Sequence, residues 1–192
     1  LLGRTYLNLG YAAAAEEQFG VAMRSGADIG LLAVPLGESL RDQRKFGELL
    51  ETLKPKSFSS DVRAQVLILH GEAQLALRKL DAAKESFLSA QALAPSSAAP
   101  LTGLAHLALL EKRYADARGA AERATRIEPE HAGAWFVRGE IERTSGRLDD
   151  ALGLLDEAIK RAEAHIPARN ARAAILIDRR QFDAARTDVE FV

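Results

Sequence analysis

The chain has 192 residues, of which 47% are hydrophobic and 28% charged, so it can bury a core of ordinary domain size. Its 26 basic and 27 acidic residues give a formal net charge of -1, which provides no overall field for holding nucleic acid or an anionic membrane. The lack of cysteine excludes disulfides and thiolate chemistry, and no apolar run approaches the roughly 20 residues that span a bilayer.

Residues of similar size return at every thirty-fourth position of the chain. One position in each period carries little or no side chain, in the series Gly3, Gly37, Gly71, Ala105, Gly139 and Ala173. A second position is small in all copies but one, in the series Ala15, Leu49, Ala83, Ala117, Ala151 and Ala185. A third is bulkier in most copies, in the series Phe19, Leu53, Phe87, Ala121, Leu155 and Val189. Because these series share one period, the chain is predicted to consist of repeated structural units.

Within each period the apolar spacing is helical. Leu101, Leu104, Ala105, Leu107 and Ala108, for example, follow the pattern of one helix face. No stretch of the sequence alternates with a period of two, so we predict an all-α chain. One small residue in each of two successive helices lets their axes approach closely, and the bulky positions fill the space beside them.

Turn residues separate the predicted helices. Pro95 and Pro129 stand where one repeated unit ends and the next begins, because proline cannot continue a helix. Ser96 or Ser97 can cap the helix that follows. Inside the units, an aspartate follows each turn and favours the positive end of the second helix. These positions are Asp81, Asp116, Asp149 and Asp183.

A 34-residue helical pair with these small, aromatic and proline positions resembles the tetratricopeptide repeat (TPR) family. The resemblance implies an all-α TPR α-solenoid, a right-handed superhelix of antiparallel helix pairs with about five to six repeats. It covers the whole chain, which we expect to be a single array, 1–192, from a longer protein. The expected repeats are 1–29 (partial), 30–63 (irregular), 64–97, 98–131, 132–165 and 166–192 (lacking its last turn).

The second repeat departs from this pattern. Pro35 falls within its first helix, which we expect to be kinked or delayed. Leu49 replaces the small residue of the second helix and is expected to push the two helices apart. Lys54-Pro55-Lys56 should end that helix early, and the looser connection that follows leads to Asp61, the expected cap of the next helix.

The same region resembles, more narrowly, the long bacterial TPR lipoproteins that are associated with PEP-CTERM sorting and exopolysaccharide export. The similar positions are 25–28, Pro35, 44–46, 49–50 and 53–55. This resemblance implies a protein of the bacterial periplasm or outer membrane, with a signal peptide and a lipidated cysteine upstream of the fragment. A cytoplasmic location is the alternative.

No catalytic or metal-binding motif is present in the sequence. It contains no glycine-rich phosphate loop, no His-Glu-x-x-His helix and no Gly-x-Ser-x-Gly elbow. The four histidines, His70, His106, His131 and His165, are far apart along the chain, and we interpret His131 and His165 as solvated turn residues. We therefore predict a protein that is not an enzyme and that binds neither a metal nor a cofactor.

The strongest nucleic-acid candidate is the basic group Arg169, Arg172, Arg179, Arg180 and Arg186. It is interleaved with Ala and Ile rather than with aromatic side chains that stack on bases, and neighbouring aspartates offset its charge. We interpret it as a solvated helix face and predict no nucleic-acid partner.

In a TPR array the first helix of each pair lines a concave groove, and groove positions recur once per repeat. This register assigns to the groove the residues Arg4, Val34, Glu38, Arg41, Ile68, Glu72, Leu75, His106, Leu109, Phe136, Glu140 and Arg143. The set combines acidic rungs with apolar patches, so it predicts a partner segment with basic and apolar side chains. Glu is also a good helix former on any surface, which is the simpler interpretation of the acidic rungs.

The resemblance also argues against one class of partner. TPR cochaperones that grip acidic C-terminal tails carry Lys, Arg and Asn at these groove positions. Here the corresponding pairs are Val34 and Glu38, Ile68 and Glu72, and Phe136 and Glu140. The carboxylate clamp is missing, so binding of acidic chaperone tails in the groove is disfavoured.

The sequence therefore predicts a non-catalytic scaffold that binds a protein or peptide partner through a preorganised groove, in envelope polysaccharide export or protein sorting. Two alternatives stay open. In the first, the chain is a regulatory or recruiting segment of a larger enzyme. In the second, it is an array that self-associates through ends without polar caps.

Overall fold

The computed structural model describes residues 2–191; Leu1 and Val192 lie outside the described part. Within this range the chain is all-α, as predicted, with twelve α-helices and no strand. The helices are α1 (Leu2–Asn8), α2 (Ala12–Arg24), α3 (Ile29–Asp42), α4 (Phe46–Thr52), α5 (Ser60–Ala76), α6 (Leu80–Leu93), α7 (Ala99–Leu110), α8 (Tyr114–Ile127), α9 (Ala132–Thr144), α10 (Leu148–Arg161), α11 (Ile166–Asp178) and α12 (Phe182–Val189). One 3₁₀ turn, Pro55–Ser57, follows α4.

The helices gather into two compact units, Leu1–Pro95 (unit 1) and Ser96–Val192 (unit 2). Unit 1 contains α1 to α6 and unit 2 contains α7 to α12. In each unit the first helix of a pair packs along its second helix and along the first helix of the next pair. The turns inside the pairs are short, as at 77–79 and 111–113, so the paired helices run antiparallel.

A residue in the left-handed region ends the first helix of each pair. The φ angle lies between 58° and 81° at Gly10, Arg44, Arg78, Lys112, Gly146 and Arg180, which share the spacing of the repeat. At the end of α5, Arg78 N donates to Leu75 O at 3.0 Å and Lys79 N donates to Gln74 O at 2.8 Å. This closure satisfies the last carbonyls of the helix and reverses the chain.

Complementary side-chain sizes hold the two helices of a pair together. A Cβ built on the glycine would lie 2.6 Å from Phe19 at Gly3, 2.8 Å from Leu53 at Gly37, 2.4 Å from Phe87 at Gly71 and 2.9 Å from Leu155 at Gly139. In the copy between the last two, both positions are alanine, and Ala105 and Ala121 are each fully buried. The close helix approach that the small residues predict is therefore present, with bulk on one helix matched by its absence on the other.

The second pair is irregular, although not entirely as predicted. Helix α3 begins at Ile29 and runs through Pro35 to Asp42, so the prediction of a delayed helix is wrong. The hydrogen bond that Pro35 cannot donate would go to the carbonyl of Leu31, a residue that is 77% exposed and therefore lies beside solvent. Helix α4 does end early, at Thr52, as the Lys54-Pro55-Lys56 segment predicts.

The predicted aspartates lie at the starts of the second helices. Asp81, Asp116, Asp149 and Asp183 are all in the first turns of α6, α8, α10 and α12. Asp61 does not cap α5, because the helix begins one residue earlier, at Ser60. It lies instead in the first turn, where its charge still faces the positive end of the helix.

Candidate functional site

In unit 1 the predicted groove residues lie on three successive first helices. Arg4 is on α1, with Val34, Glu38 and Arg41 on α3 and Ile68, Glu72 and Leu75 on α5. Arg4 is exposed and the others are half-buried. The structure links two of these helices directly, because Arg41 Nη1 lies 3.4 Å from Glu72 Oε2. The guanidinium of Arg41 also donates through Nε to Asp42 Oδ1 at 2.9 Å.

The carboxylates of Glu38 and Glu72, among the groove residues of unit 1, are partly buried. Burial raises the pKa of Glu38, and the nearby cations Arg41 and Arg4 oppose the rise. Burial likewise raises the pKa of Glu72 against the opposing effect of Arg41. A basic partner side chain would favour the ionised form of both groups, so binding it would be coupled to release of any proton they hold.

In unit 2 the predicted residues lie on two first helices, with His106 and Leu109 on α7 and Phe136, Glu140 and Arg143 on α9. The His106 ring meets the Phe136 ring edge to face, with centroids 5.7 Å apart and planes at 88°. Leu109 and Phe136 both pack against the buried cluster that contains Ala105 and Val137. The structure therefore brings His106, Leu109 and Phe136 together as one half-buried apolar surface.

A third ring joins this surface from a position that the sequence did not assign to it. His165 precedes α11, and its ring lies 5.2 Å from Phe136 between centroids. Its Nδ1 accepts a hydrogen bond from Ala168 N at 3.1 Å and so caps the helix. The interpretation of His165 as a solvated turn residue is therefore wrong. The repeat register placed His165 in a turn between two repeats but could not give the direction of its side chain.

Burial keeps the histidines of unit 2 neutral. Desolvation lowers the pKa of His106, against the opposing effect of Glu140, and His165 lowers it further. The pKa of His165 is lowered mainly by burial and also by His131, and the pKa of His131 is itself lowered by burial. His131 is half-buried rather than solvated. At neutral pH these rings therefore present an apolar, uncharged surface.

Charge lies one helical turn beyond the rings. Arg143 donates from Nε to Glu140 Oε1 and from Nη2 to Glu140 Oε2, both at 2.8 Å, in a bidentate pair. The side chain of Glu140 is 17% exposed and that of Arg143 is 42% exposed. Hydrogen bonding to Glu140 raises the pKa of Arg143. The acidic rungs Glu72 and Glu140 are thus each paired with an arginine of the same predicted groove.

Trp135, the neighbour of Phe136, has a structural role. Its Nε1 donates to Pro129 O at 2.7 Å, in the turn before α9. The guanidinium carbons of Arg138 and Arg161 lie 4.9 and 4.3 Å from the centre of its ring system. The side chain is therefore held against the turn by this hydrogen bond and by contacts with two cations, so of the two neighbouring aromatic residues Phe136 is the candidate contact for a partner.

The basic group near the C-terminus is not a solvated face throughout. The side chains of Arg169 and Asp188 are 6% and 0% exposed, and Arg169 Nη1 lies 2.9 Å from Asp188 Oδ1. Arg172 donates to both oxygens of Asp188, at 2.7 and 2.6 Å, and also reaches Asp156. The interpretation as a solvated face is wrong for Arg169, because α11 and α12 pack around this ion pair. Arg169 and Arg172 therefore form ion pairs with carboxylates of the chain itself.

Neither a metal-binding cluster nor a membrane-spanning helix is found within residues 2–191. No group of three or more His, Cys, Asp or Glu side chains in that range is arranged to hold a metal ion. None of the described helices combines the length and the apolar character that crossing a membrane requires.

Comparison with known proteins gives the context of this helix-pair arrangement. The family model described as "Tetratricopeptide repeat" matches residues 68–129 and 102–166, which together cover just over half of the chain. No curated protein sequence matches the chain. The assignment of the twelve groove residues to a binding site stays a prediction.

Solved structures give the same picture of the fold. A thermophilic TPR protein of Thermus thermophilus is similar, with a TM-score of 0.74, 21% identity, and coverage of 92% of this chain and 96% of that one. The APC/C hetero-tetramer Cut9–Hcn1 contains a chain with a TM-score of 0.73 and 16% identity, over 99% of this chain and 38% of that one. MamA has a TM-score of 0.52 and 18% identity, over 81% of this chain and 91% of that one.

These identities establish the fold alone, which is the predicted TPR solenoid class. TPR arrays are in general non-enzymatic interaction scaffolds with protein partners, because a stack of helix pairs presents an extended, preformed surface. The repeat period, the helix pairs and the family match agree, and the chain belongs to the tetratricopeptide repeat family.

Proposed function

We propose that the chain is a non-catalytic scaffold that binds a segment of a partner protein on the first-helix faces of its units, with Phe136 as the principal anchor. The observation that carries this proposal is the cluster of Phe136, His106 and His165 beside the Glu140–Arg143 pair. A few well-packed residues supply most of the binding energy at protein interfaces, and aromatic side chains, Phe among them, are enriched there.

The cluster suits an apolar or aromatic partner side chain. Two neutral imidazoles flank the Phe136 ring, so a side chain placed there would be in contact with three ring systems and no buried charge. The rings are fixed by the packing of α7 and α9 and by the cap of α11, which lowers the entropy lost on binding.

The Glu140–Arg143 pair sets the orientation in which a partner segment would bind. Each oxygen of the Glu140 carboxylate accepts one hydrogen bond from Arg143 and retains a lone pair for a basic partner group. A partner with an apolar residue and a Lys or Arg about one turn away would contact the ring cluster and the carboxylate together. In unit 1, Glu38 and Glu72 beside Val34 and Ile68 offer the same combination.

The test begins with peptides selected from a random phage-displayed library on the immobilised chain. Peptides with basic and apolar residues are expected, and Glu140→Lys should weaken their binding by about tenfold or more, because a second cation then stands beside Arg143. Glu122→Lys, the same charge change on the second helix α8, is the matched control and should change the affinity less than about twofold. Equal affinities for the two variants would contradict the groove assignment.

We propose the bacterial envelope as the setting, in polysaccharide export or protein sorting. The support for this is the resemblance of residues 25–55 to TPR lipoproteins of that kind. Fractionation of cells that express the full-length protein tests it: recovery with the membranes is expected, and recovery in the cytosol alone would contradict it.

Self-association is the second candidate function. The observation that favours it is the apolar surface of α1 and its neighbours and of α12, where several large side chains are strongly exposed. These are Leu2, Leu9, Tyr11, Leu31, Phe182 and Val189. Sedimentation velocity over a concentration series tests this candidate: a sedimentation coefficient that rises with concentration is expected, and a constant value for the monomer would contradict it.

A further inference from the structure

The irregular second pair of helices creates a pocket on unit 1 that is separate from the predicted groove residues. Its volume is about 630 Å³, within the range of roughly 300–1,000 Å³ that is typical of ligand pockets. Its floor is apolar and includes Pro55, Leu67 and Leu93, and Leu93 is 39% exposed. Its rim carries the cations Lys54, Lys56 and Arg63, and none of the described residues that line it is acidic.

The pocket lies where the last turns of a regular second helix would run. Helix α4 has 7 residues, whereas α6, α8 and α10 have 14. By the repeat register, residues 53–59 replace the missing turns with the 3₁₀ turn Pro55–Ser57. This leaves the side of α6 that carries Leu93 uncovered next to α5. The α5 residue in the pocket is Leu67, which lies about 100° around the helix from the groove residue Ile68, so the pocket and the groove are on different faces of α5.

Hydrogen bonds hold in place the 53–58 segment, which forms one side of the pocket. His70 Nε2 donates to Leu53 O at 2.6 Å, which satisfies a carbonyl at the end of α4. Arg63 donates to Phe58 O at 2.9 Å and to Pro55 O at 3.2 Å, and Phe58 is buried at 6% exposure. The turn is therefore held by two side chains of α5 and a buried ring, so the pocket is preformed.

The cations of the rim are not neutralised within the described chain. Arg63 bonds only to main-chain carbonyls, and Lys54 Nζ contacts Leu50 O at 3.3 Å. None of the three forms an ion pair with a carboxylate of residues 2–191, although the chain as a whole carries a net charge of -1. Three uncompensated cations around an apolar floor complement an anionic, apolar ligand.

We propose that this pocket binds a short protein segment in which one or two apolar side chains are flanked by Asp or Glu. The apolar side chains fill the floor of Pro55, Leu67 and Leu93, and the carboxylates pair with Lys54, Lys56 and Arg63. A peptide fits better than a lipid, because the pocket is open to solvent and would leave much of an acyl chain in water. Its charge preference is opposite to that of the groove, so the two surfaces select different segments.

The test uses peptides selected from a random phage-displayed library on the full chain, followed by fluorescence anisotropy with each dye-labelled peptide. A class with acidic and apolar residues is expected. The double substitution Lys54→Glu with Lys56→Glu, at two exposed positions, should weaken its binding about tenfold or more, and Leu93→Asn should do so independently. The matched control, Lys79→Glu with Lys84→Glu on the same unit, should leave the affinity within about twofold.

Glu140→Lys should leave the binding of these peptides unchanged, so this test is separate from that of the groove. The proposal is overturned if no acidic and apolar peptides are recovered, or if those recovered bind the pocket variants as tightly as the unsubstituted chain. It is also overturned if oleate occupies the pocket and these peptides do not displace it. A concentration-dependent dimer that Lys54→Glu with Lys56→Glu abolishes would assign the pocket to a second copy of the chain instead.

Discussion

The Phe87 ring occupies the space beside Gly71 so closely that a Cβ on that glycine would lie 2.4 Å from Cε1 of Phe87. Phe87 is fully buried, and Gly71 is on the first helix of a pair whose second helix carries the ring. The relationship recurs in other copies with Phe19, Leu53 and Leu155. The glycines of these first helices therefore determine how closely the two helices approach.

Gly71→Ala is expected to destabilise unit 1 by about 1–3 kcal/mol, because the rigid, buried ring cannot move aside without shifting α6. Gly47→Ala is the matched control. Gly47 is also helical, but nothing lies within 4 Å of the Cβ it would gain. Removing a glycine there should be neutral or stabilise the chain by roughly 0.5–1 kcal/mol. Urea unfolding followed by circular dichroism measures both, and equal effects would show that the packing at Gly71 is loose.

The alanine pair of unit 2 allows a reciprocal test. Ala121→Leu should cost about 1–3 kcal/mol, because the Cβ of Ala105 occupies the space that a glycine would leave. Adding Ala105→Gly recreates the combination found at Gly139 and Leu155 and should recover much of the loss. A double variant that is no more stable than Ala121→Leu alone would mean that the two positions do not compensate each other.

Asp188 is expected to be the most sensitive charged position. Asp188→Ala should destabilise α11 and α12 by about 3–5 kcal/mol, because it leaves the buried Arg169 without its counter-ion. Asp183→Ala removes a carboxylate from the same helix, where the side chain is 99% exposed, and should cost less than about 1 kcal/mol. Hydrogen exchange of the α11 amides provides the comparison. Similar protection in the two variants would argue against a structural role for the ion pair.

The stability of unit 2 is expected to fall as the pH drops below about 6.5. The folded state lowers the pKa of His106, His131 and His165, mainly through burial, so the unfolded chain binds protons more readily in that range. His165→Asn keeps an acceptor that can cap α11 but cannot titrate. This variant should lose less stability than the unsubstituted chain between about pH 7.5 and about pH 5.5.

The fluorescence of Trp135, the chain's one tryptophan, reports the unfolding of unit 2 in this experiment. Glu38 and Glu72, whose raised pKa values have the opposite effect, are present in both chains, so their contribution cancels in the comparison with His165→Asn. Parallel pH curves for His165→Asn and the unsubstituted chain would show that folding does not lower the pKa of His165.

Periodicity predicted most of the fold, because the small and bulky positions of a helix pair must recur in register. It did not predict the left-handed turn residues, since Arg44, Arg78, Lys112 and Arg180 give no glycine signal. It predicted that Pro35 would kink or delay α3, and the delay is wrong, because α3 begins at Ile29 and the carbonyl that Pro35 leaves without a donor lies beside solvent. These features depend on local backbone geometry, which residue type does not determine.

The candidate site was predicted only in part for a related reason. Residue spacing placed Phe136, His106 and Glu140 on first helices, and the structure keeps them there. The approach of His165 to Phe136 and the pairing of Glu140 with Arg143 depend on side-chain rotamers and helix caps. The pocket beside the 54–56 segment depends on the path of the chain after α4. Residue types predicted the early helix end and a looser connection, but not the course of that connection.

The most direct test of the scaffold account is photo-cross-linking to a peptide selected for groove binding. Benzoylphenylalanine replaces Phe136 in one sample and Gly119 in another, where α8 leaves open space around the site. The account predicts a cross-linked product from position 136 that unlabelled peptide competes away, and none from position 119. Cross-linking at position 119 that equals or exceeds that at position 136 would contradict the assignment of the binding surface to the first helices.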